Sequence, residues 1–249
     1  MSDQVSAVPA GPLAARAQAF IVASLLTAYP ENVFLPLLSE LLESDDIWED
    51  CVNVDPESWA HIAEHLDHAC KSKTALDDLR SSYIDIFDRS REANPPYETE
   101  YGRERAMLKA TQLADIAGFY KAFGFLPMTT EGHRDMLDHA AVELEFYSLL
   151  LLKTACLMDR DAEGESIVKE ARSKFMDEHL GTFISAIAHR PGVVRDPFYG
   201  AVYTWASALV YHEASELGVT PKETSWVKGQ EPGEISCCPG EGLRQKTMT

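Results

Sequence analysis

The chain lacks most of the signatures that announce a common activity. It has no G-x-x-x-x-G-K-[ST] phosphate loop, and no G-x-G-x-x-G between a strand and a helix, so neither nucleotide-binding architecture is signalled. Glu-x-x-His, which a di-iron helical bundle needs twice, occurs nowhere; Glu64 and His68, four apart, come nearest. The five cysteines (Cys51, Cys70, Cys156, Cys237, Cys238) are odd in number and show no C-x-x-C spacing. That argues against a disulfide framework and for a reducing compartment.

Positive charge is also scarce. Against 40 acidic residues stand 22 basic ones, a formal net charge of −18. Such a balance repels nucleic acid and anionic membranes and favours basic partners. Long hydrophobic runs are missing too. The uncharged apolar stretches Phe20–Tyr29 and Phe146–Leu152 are too short for a membrane span, and the N-terminus offers no secretory signal. The reading is a soluble cytoplasmic protein with no stable membrane insertion. No stretch alternates with period two between turn residues, which leaves no candidate strand.

What the chain does have is helical periodicity, with 45% hydrophobic residues to support a core. Residues 1–11 are small and polar and read as a disordered N-terminus. Pro12 opens a helix to about Ala28, and a short one follows from Glu31 to about Leu42. Asp55-Pro56-Glu57-Ser58 starts a third, with an N-cap and a first-turn proline. Further patterns cover Thr74 to Phe87, then Arg103 to about Phe123 with Met107, Leu108, Leu113, Ile116, Ala117 and Tyr120 as core candidates. Two more run roughly Glu163–His189 and Pro197–Leu217. Between Phe87 and Arg103, DRSREANPPYETEYG breaks the pattern with two prolines; an aromatic-bearing loop of that length is either functional or tightly packed. The expectation is all-α: a single compact helical domain of about eight helices over residues 12–217, followed by a flexible tail over 218–249.

The stretch from Arg134 to Met158 organises the rest. On a helix, Asp135, Asp138, His139, Glu143, Glu145 and Lys153 fall within an arc of roughly 160°, opposite the most apolar face in the chain. Thr129 or Thr130 is the expected cap. Asp135, His139 and Glu143, spaced i, i+4, i+8, predict an exposed acid–imidazole–acid edge. Its bland reading is a solvated polar edge worth a few tenths of a kcal/mol per pair. No serine or cysteine nearby sits in a turn that would make it a nucleophile for His139, so binding suits the edge better than catalysis. An acidic edge beside apolar surface fits a basic, apolar peptide.

A second cluster, His61-Ile-Ala-Glu64-His65, matches the H-x-x-E-H pattern of inverted zinc peptidases. Its residues share a polar face with His68, opposite Trp59, Ile62, Leu66 and Cys70, and so read as a solvated surface. A zinc-dependent hydrolase built on His61, Glu64 and His65 remains the alternative function. Cys237-Cys238-Pro239 supplies too few ligands for a closed zinc site. No cofactor is expected.

Three segments together resemble the TorD/DmsD/NarJ family of redox-enzyme maturation chaperones. They are Tyr83-Ile-Asp-Ile-Phe87, Pro95-Pro96-Tyr97-Glu98-Thr99-Glu100-Tyr101, and Asp138-His139-Ala-Ala-Val-Glu143-Leu144-Glu145-Phe146. Phe175-Met-Asp-Glu-His179-Leu180 and Pro197-Phe198-Tyr199 resemble its closing helices. Leu137 stands where the family usually has proline, and Ile86 where leucine precedes the phenylalanine. The resemblance implies a non-enzymatic cytoplasmic chaperone serving enzymes of anaerobic respiration. Its partner would be the catalytic subunit of a molybdopterin-containing oxidoreductase of the dimethyl sulfoxide reductase type. It would hold that subunit, often by an N-terminal twin-arginine segment, until the cofactor is inserted. Carried over, Asp138 and His139 correspond to the family's Asp-His pair implicated in peptide binding. Tyr83, Phe87, Pro96, Tyr97, Glu98 and Tyr101 would form the neighbouring wall, with Glu143 beside the pair. On this reading Asp138→Ala with His139→Ala spares the fold and weakens client capture.

Overall fold

The structure is a computed structural model that describes residues 11–42, 53–72, 74–102, 105–127, 136–222 and 224. Its helices are α1 (Pro12–Thr27), α2 (Phe34–Leu42), α3 (Pro56–Lys71), α4 (Ala75–Tyr83), α5 (Arg105–Phe123), α6 (Ala140–Leu157), α7 (Ala162–Phe175), α8 (Gly181–Ala188), α9 (Pro191–Arg195) and α10 (Pro197–Leu217). Among the described residues no strand forms, and the all-α expectation holds. Prolines open α1, α3, α9 and α10, where a missing N–H costs nothing. Aspartates cap three helices: Asp55 accepts from the Ser58 N–H at 3.1 Å, Asp161 from Gly164 at 3.0 Å, and Asp196 from Phe198 and Tyr199 at 3.0 and 2.9 Å. Gly218, at φ 70°, ends α10 in the left-handed conformation that a side chain disfavours.

Helix α6 is the centre. Ala140, Leu144, Phe146, Tyr147, Leu150 and Leu151 are fully buried along it. α1 lies against α6 most extensively of any pair, because Ala15, Ala17, Ala19 and Ala23 let the backbones approach. α7 covers another side of α6, while α10 packs on α8, α3 and α1. Phe146 gathers Tyr120, Phe125 and Phe175 around it, with ring centroids 4.7 to 5.4 Å away. Trp59 of α3 meets Trp205 of α10 at 5.0 Å.

A buried polar knot ties α1 to α10. The Glu213 carboxylate, on α10, is paired with Arg172 of α7 and, at 2.9 Å, with Arg16 of α1, and it accepts the Tyr147 hydroxyl of α6 at 2.9 Å. Four helices thus converge on one carboxylate.

Several sequence expectations are corrected. α6 begins at Ala140 rather than near Arg134, and His139 is its N-cap: the ring Nδ1 accepts the Ala141 N–H at 3.1 Å. Thr129, Thr130 and Asp135 lie outside the described residues. The helix expected over Glu163–His189 is α7 and α8 joined by a π-helical turn, Met176–Leu180, and α4 likewise runs on into a π-helical turn, Ile84–Arg89. Leu108, Cys70 and Cys156 are exposed rather than inward. The tail expected to be flexible from residue 218 starts as a packed strap. Pro221 lies against Gly181, and the backbone N–H and hydroxyl of Thr224 donate to the Thr182 carbonyl at 2.8 and 2.9 Å.

Candidate functional site

Residues 94–101 and 136–140 zip together at the start of α6. Pro95 and Pro96 have no N–H to give and hold the chain extended, which leaves the Pro96 carbonyl to accept from the Ala140 N–H at 2.9 Å. Glu98 N–H donates to the Asp138 carbonyl at 2.9 Å, and between these bonds Tyr97 pairs with His139 as an antiparallel bridge. The Asp138 side chain accepts from both the N–H and the hydroxyl of Thr99, at 3.3 and 2.5 Å. Tyr101 closes the loop by donating to the Pro95 carbonyl at 2.7 Å, and burial raises its pKa far above the ordinary tyrosine value. Asn94 fastens the loop's entry, donating to the Ile86 carbonyl at 3.3 Å and accepting from the Gly192 N–H at 2.8 Å.

His139 has both ring nitrogens engaged. Because Nδ1 accepts from Ala141, the neutral ring carries its proton on Nε2, which meets the Tyr83 hydroxyl at 3.2 Å. The Tyr97 ring stands edge-on to the imidazole at 5.2 Å, and Tyr83 packs on Phe87 at 4.9 Å. An imidazole held this way is a structural pin, not a base poised for an outside substrate.

Behind the zip lies an acid cluster. The Glu98 carboxylate points inward to His179 Nδ1, at 3.1 and 3.2 Å from its two oxygens, and His179 Nε2 faces Asp115 Oδ2 at 3.2 Å. Burial alone would lower the His179 pKa, but the hydrogen bonds and charges of Glu98 and Asp115 together raise it. The Glu143 carboxyl, 0% exposed, faces Glu98 and shares a hydrogen bond with it. Burial first, then the facing Glu98 and Asp138 carboxyls, push its pKa well above the usual range and favour the neutral acid.

The structure therefore gathers Tyr83, Phe87, Pro96, Tyr97, Glu98, Tyr101, Asp138, His139 and Glu143 into one cluster, but turns it inside out. Asp138, His139 and Glu143 are 0% exposed, so the predicted exposed edge is corrected. The amphipathic arc treated the charged face as solvent-facing, whereas the 94–101 loop folds over it. Replacing Asp138 and His139 together would thus disturb the fold itself, contrary to the sequence expectation. Of the nine, Tyr97 alone reaches the surface, half-buried, with the Arg91 guanidinium over its ring at 4.5 Å. Sequence reasoning missed His179, Asp115 and Thr99 as members of the cluster. The signal for His179 was there in the segment Phe175–Leu180.

The other histidine cluster is not assembled. His61 and Glu64 are exposed, and His65 Nδ1 bonds to the His61 carbonyl at 2.8 Å. Among the described residues, the group of three side chains close enough to share an ion is Asp115, Glu178 and His179, not His61, Glu64 and His65. No helix among the described residues is long and apolar enough to cross a membrane.

Compared with known proteins, residues 53–189, more than half of the chain, match the sequence model of a family described as nitrate reductase delta subunit. No curated protein matches the chain.

Proposed function

The chain belongs to the nitrate reductase delta subunit family, whose members are chaperones of molybdoenzyme maturation, and we propose that it acts by capturing the catalytic subunit of a molybdopterin-dependent oxidoreductase of the dimethyl sulfoxide reductase type. The captured region includes the client's N-terminal segment, and capture lasts through cofactor insertion, in the cytoplasm, before assembly or export. The role is to hold, not to catalyse.

The observation that carries this reading is Tyr97. It is the surface tip of the cluster predicted from sequence, and a guanidinium, that of Arg91, already sits on its ring. A client arginine can make the same contact, worth about 0.5–1 kcal/mol when exposed and more when desolvated. The buried zip beneath it, from Asp138 to Thr99 and from His139 to Tyr83, keeps the loop in register, so these residues are positioning residues for the docking surface. The charge of −18 favours encounter with a basic segment and makes that encounter salt-sensitive.

The test is calorimetric titration with a synthetic peptide that carries two consecutive arginines and an apolar run. Tyr97→Ala should bind it roughly tenfold more weakly, with an unchanged melting temperature, and a paired-lysine peptide should bind more weakly than the arginine one. Equal affinity in the Tyr97→Ala protein would remove Tyr97 from the site.

A further inference from the structure

We propose that Asp115, Glu178 and His179 form a binding site for a divalent first-row metal ion, zinc in the first instance, at the outer face of the buried acid cluster. One ligand atom from each lies within 4.8 Å of the others. A tetrahedral zinc with bonds of about 2.0–2.2 Å separates its ligands by roughly 3.3–3.6 Å. His179 Nε2 and Asp115 Oδ2, at 3.2 Å, already stand close to that span.

The imidazole is also braced the way metal-binding histidines are. Its Nδ1 is held by the buried Glu98 carboxylate, and a ligating histidine characteristically passes its other N–H to a carboxylate, which fixes the tautomer and aims the free nitrogen at the ion. The aimed nitrogen here is Nε2, toward Asp115. Asp115 and Glu178 have side chains 48% and 47% exposed, so an ion has a way in, while His179 is buried. The π-helical turn Met176–Leu180 carries Glu178 and His179 together, and such turns recur at functional sites.

Behind Glu98, the buried Glu143 carboxyl faces the Glu98 carboxylate and shares a hydrogen bond with it, and Asp138 Oδ1 is buried with no hydrogen-bond partner among the described residues. Three carboxyl groups, those of Glu98, Asp115 and Glu178, meet around the His179 imidazole. Lys174 Nζ lies 3.6 Å from Glu178 and 5.5 Å from the centre of the Phe119 ring. A divalent ion would offset the charge of these carboxylates. Bound there, the ion would clamp α5 to the π-helical turn and, through Glu98, to the loop that carries Tyr97.

Zinc titration of the full, untagged chain in competition with a chromophoric chelator tests this. One zinc per chain is expected, accompanied by a rise in melting temperature. Asp115→Asn and Glu178→Gln, both on the accessible side, should keep the helical circular dichroism and each weaken binding at least about tenfold. Lys174→Ala should strengthen it by relieving competition for Glu178. His61→Ala combined with His65→Ala should change nothing. The proposal is overturned if no zinc competes with the chelator, if the Asp115 and Glu178 variants bind as the parent does, or if binding is lost in the His61 and His65 variant instead.

Discussion

At Glu143 the carboxyl group lies buried in the first turn of α6, facing Glu98, and burial, reinforced by Glu98 and Asp138, raises its pKa well above the ordinary value of 4.5. In the unfolded chain this group ionises near that ordinary value, whereas in the folded protein it keeps its proton to higher pH. Its contribution to stability is therefore fully present below about 4.5 and is lost as pH rises toward the folded value. Glu143→Gln mimics the protonated acid without that loss. Thermal melts should show the variant gaining on the parent between about pH 5 and pH 8, with the gap widening as pH rises. A gap that stays flat across this range would mean that Glu143 is ionised in the folded protein.

At the scale of elements, the loop that carries Tyr97 depends on a close approach between Asn94 and α9. A Cβ on Gly192 would come within 2.6 to 2.8 Å of the Asn94 side-chain atoms. Gly192→Ala should push Asn94 out, breaking its bonds to Gly192 and Ile86, and destabilise the fold by about 1–3 kcal/mol. Urea unfolding should show a lower midpoint with an unchanged slope. Helix starts such as Asp55-Pro56, Pro12 and Asp196-Pro197 were legible in the sequence because capping is a local property. The start of α6 was not. Histidine is an uncommon capping residue, and Asp138 and His139 are taken up by a loop some 40 residues upstream in the sequence, a pairing that no local period reports. The π-helical turns at 84–89 and 176–180 were hidden for a similar reason: their composition reads as ordinary helix, and the wider turn is set by what packs on it.

For the whole molecule, the missing period-two pattern and the apolar stripes were enough to place the chain among all-helical domains, and the five segments of family resemblance carried its class. Burial of the acid cluster was not foreseeable, since it arises from the way α5, α6 and the 94–101 loop close on one another. The same holds for Glu213, which reads as one more acid in an acidic helix yet is 0% exposed and joins Arg16 and Arg172. Glu213→Ala would leave two guanidinium groups and the Tyr147 hydroxyl without their shared partner. A loss of about 3–5 kcal/mol is expected by denaturant unfolding. A loss below about 1 kcal/mol, the value of a surface pair, would show that water takes over the role.

That carboxylate also sets an order of events during synthesis. α1, α6 and α7 leave the ribosome before α10, so Arg16, Tyr147 and Arg172 wait with their charges and hydroxyl in water until Glu213 arrives. The earlier helices can pair first, but the charges of Arg16 and Arg172 are matched by this carboxylate only when α10 docks. A chain truncated before α10 would leave Arg16, Tyr147 and Arg172 without the carboxylate they share.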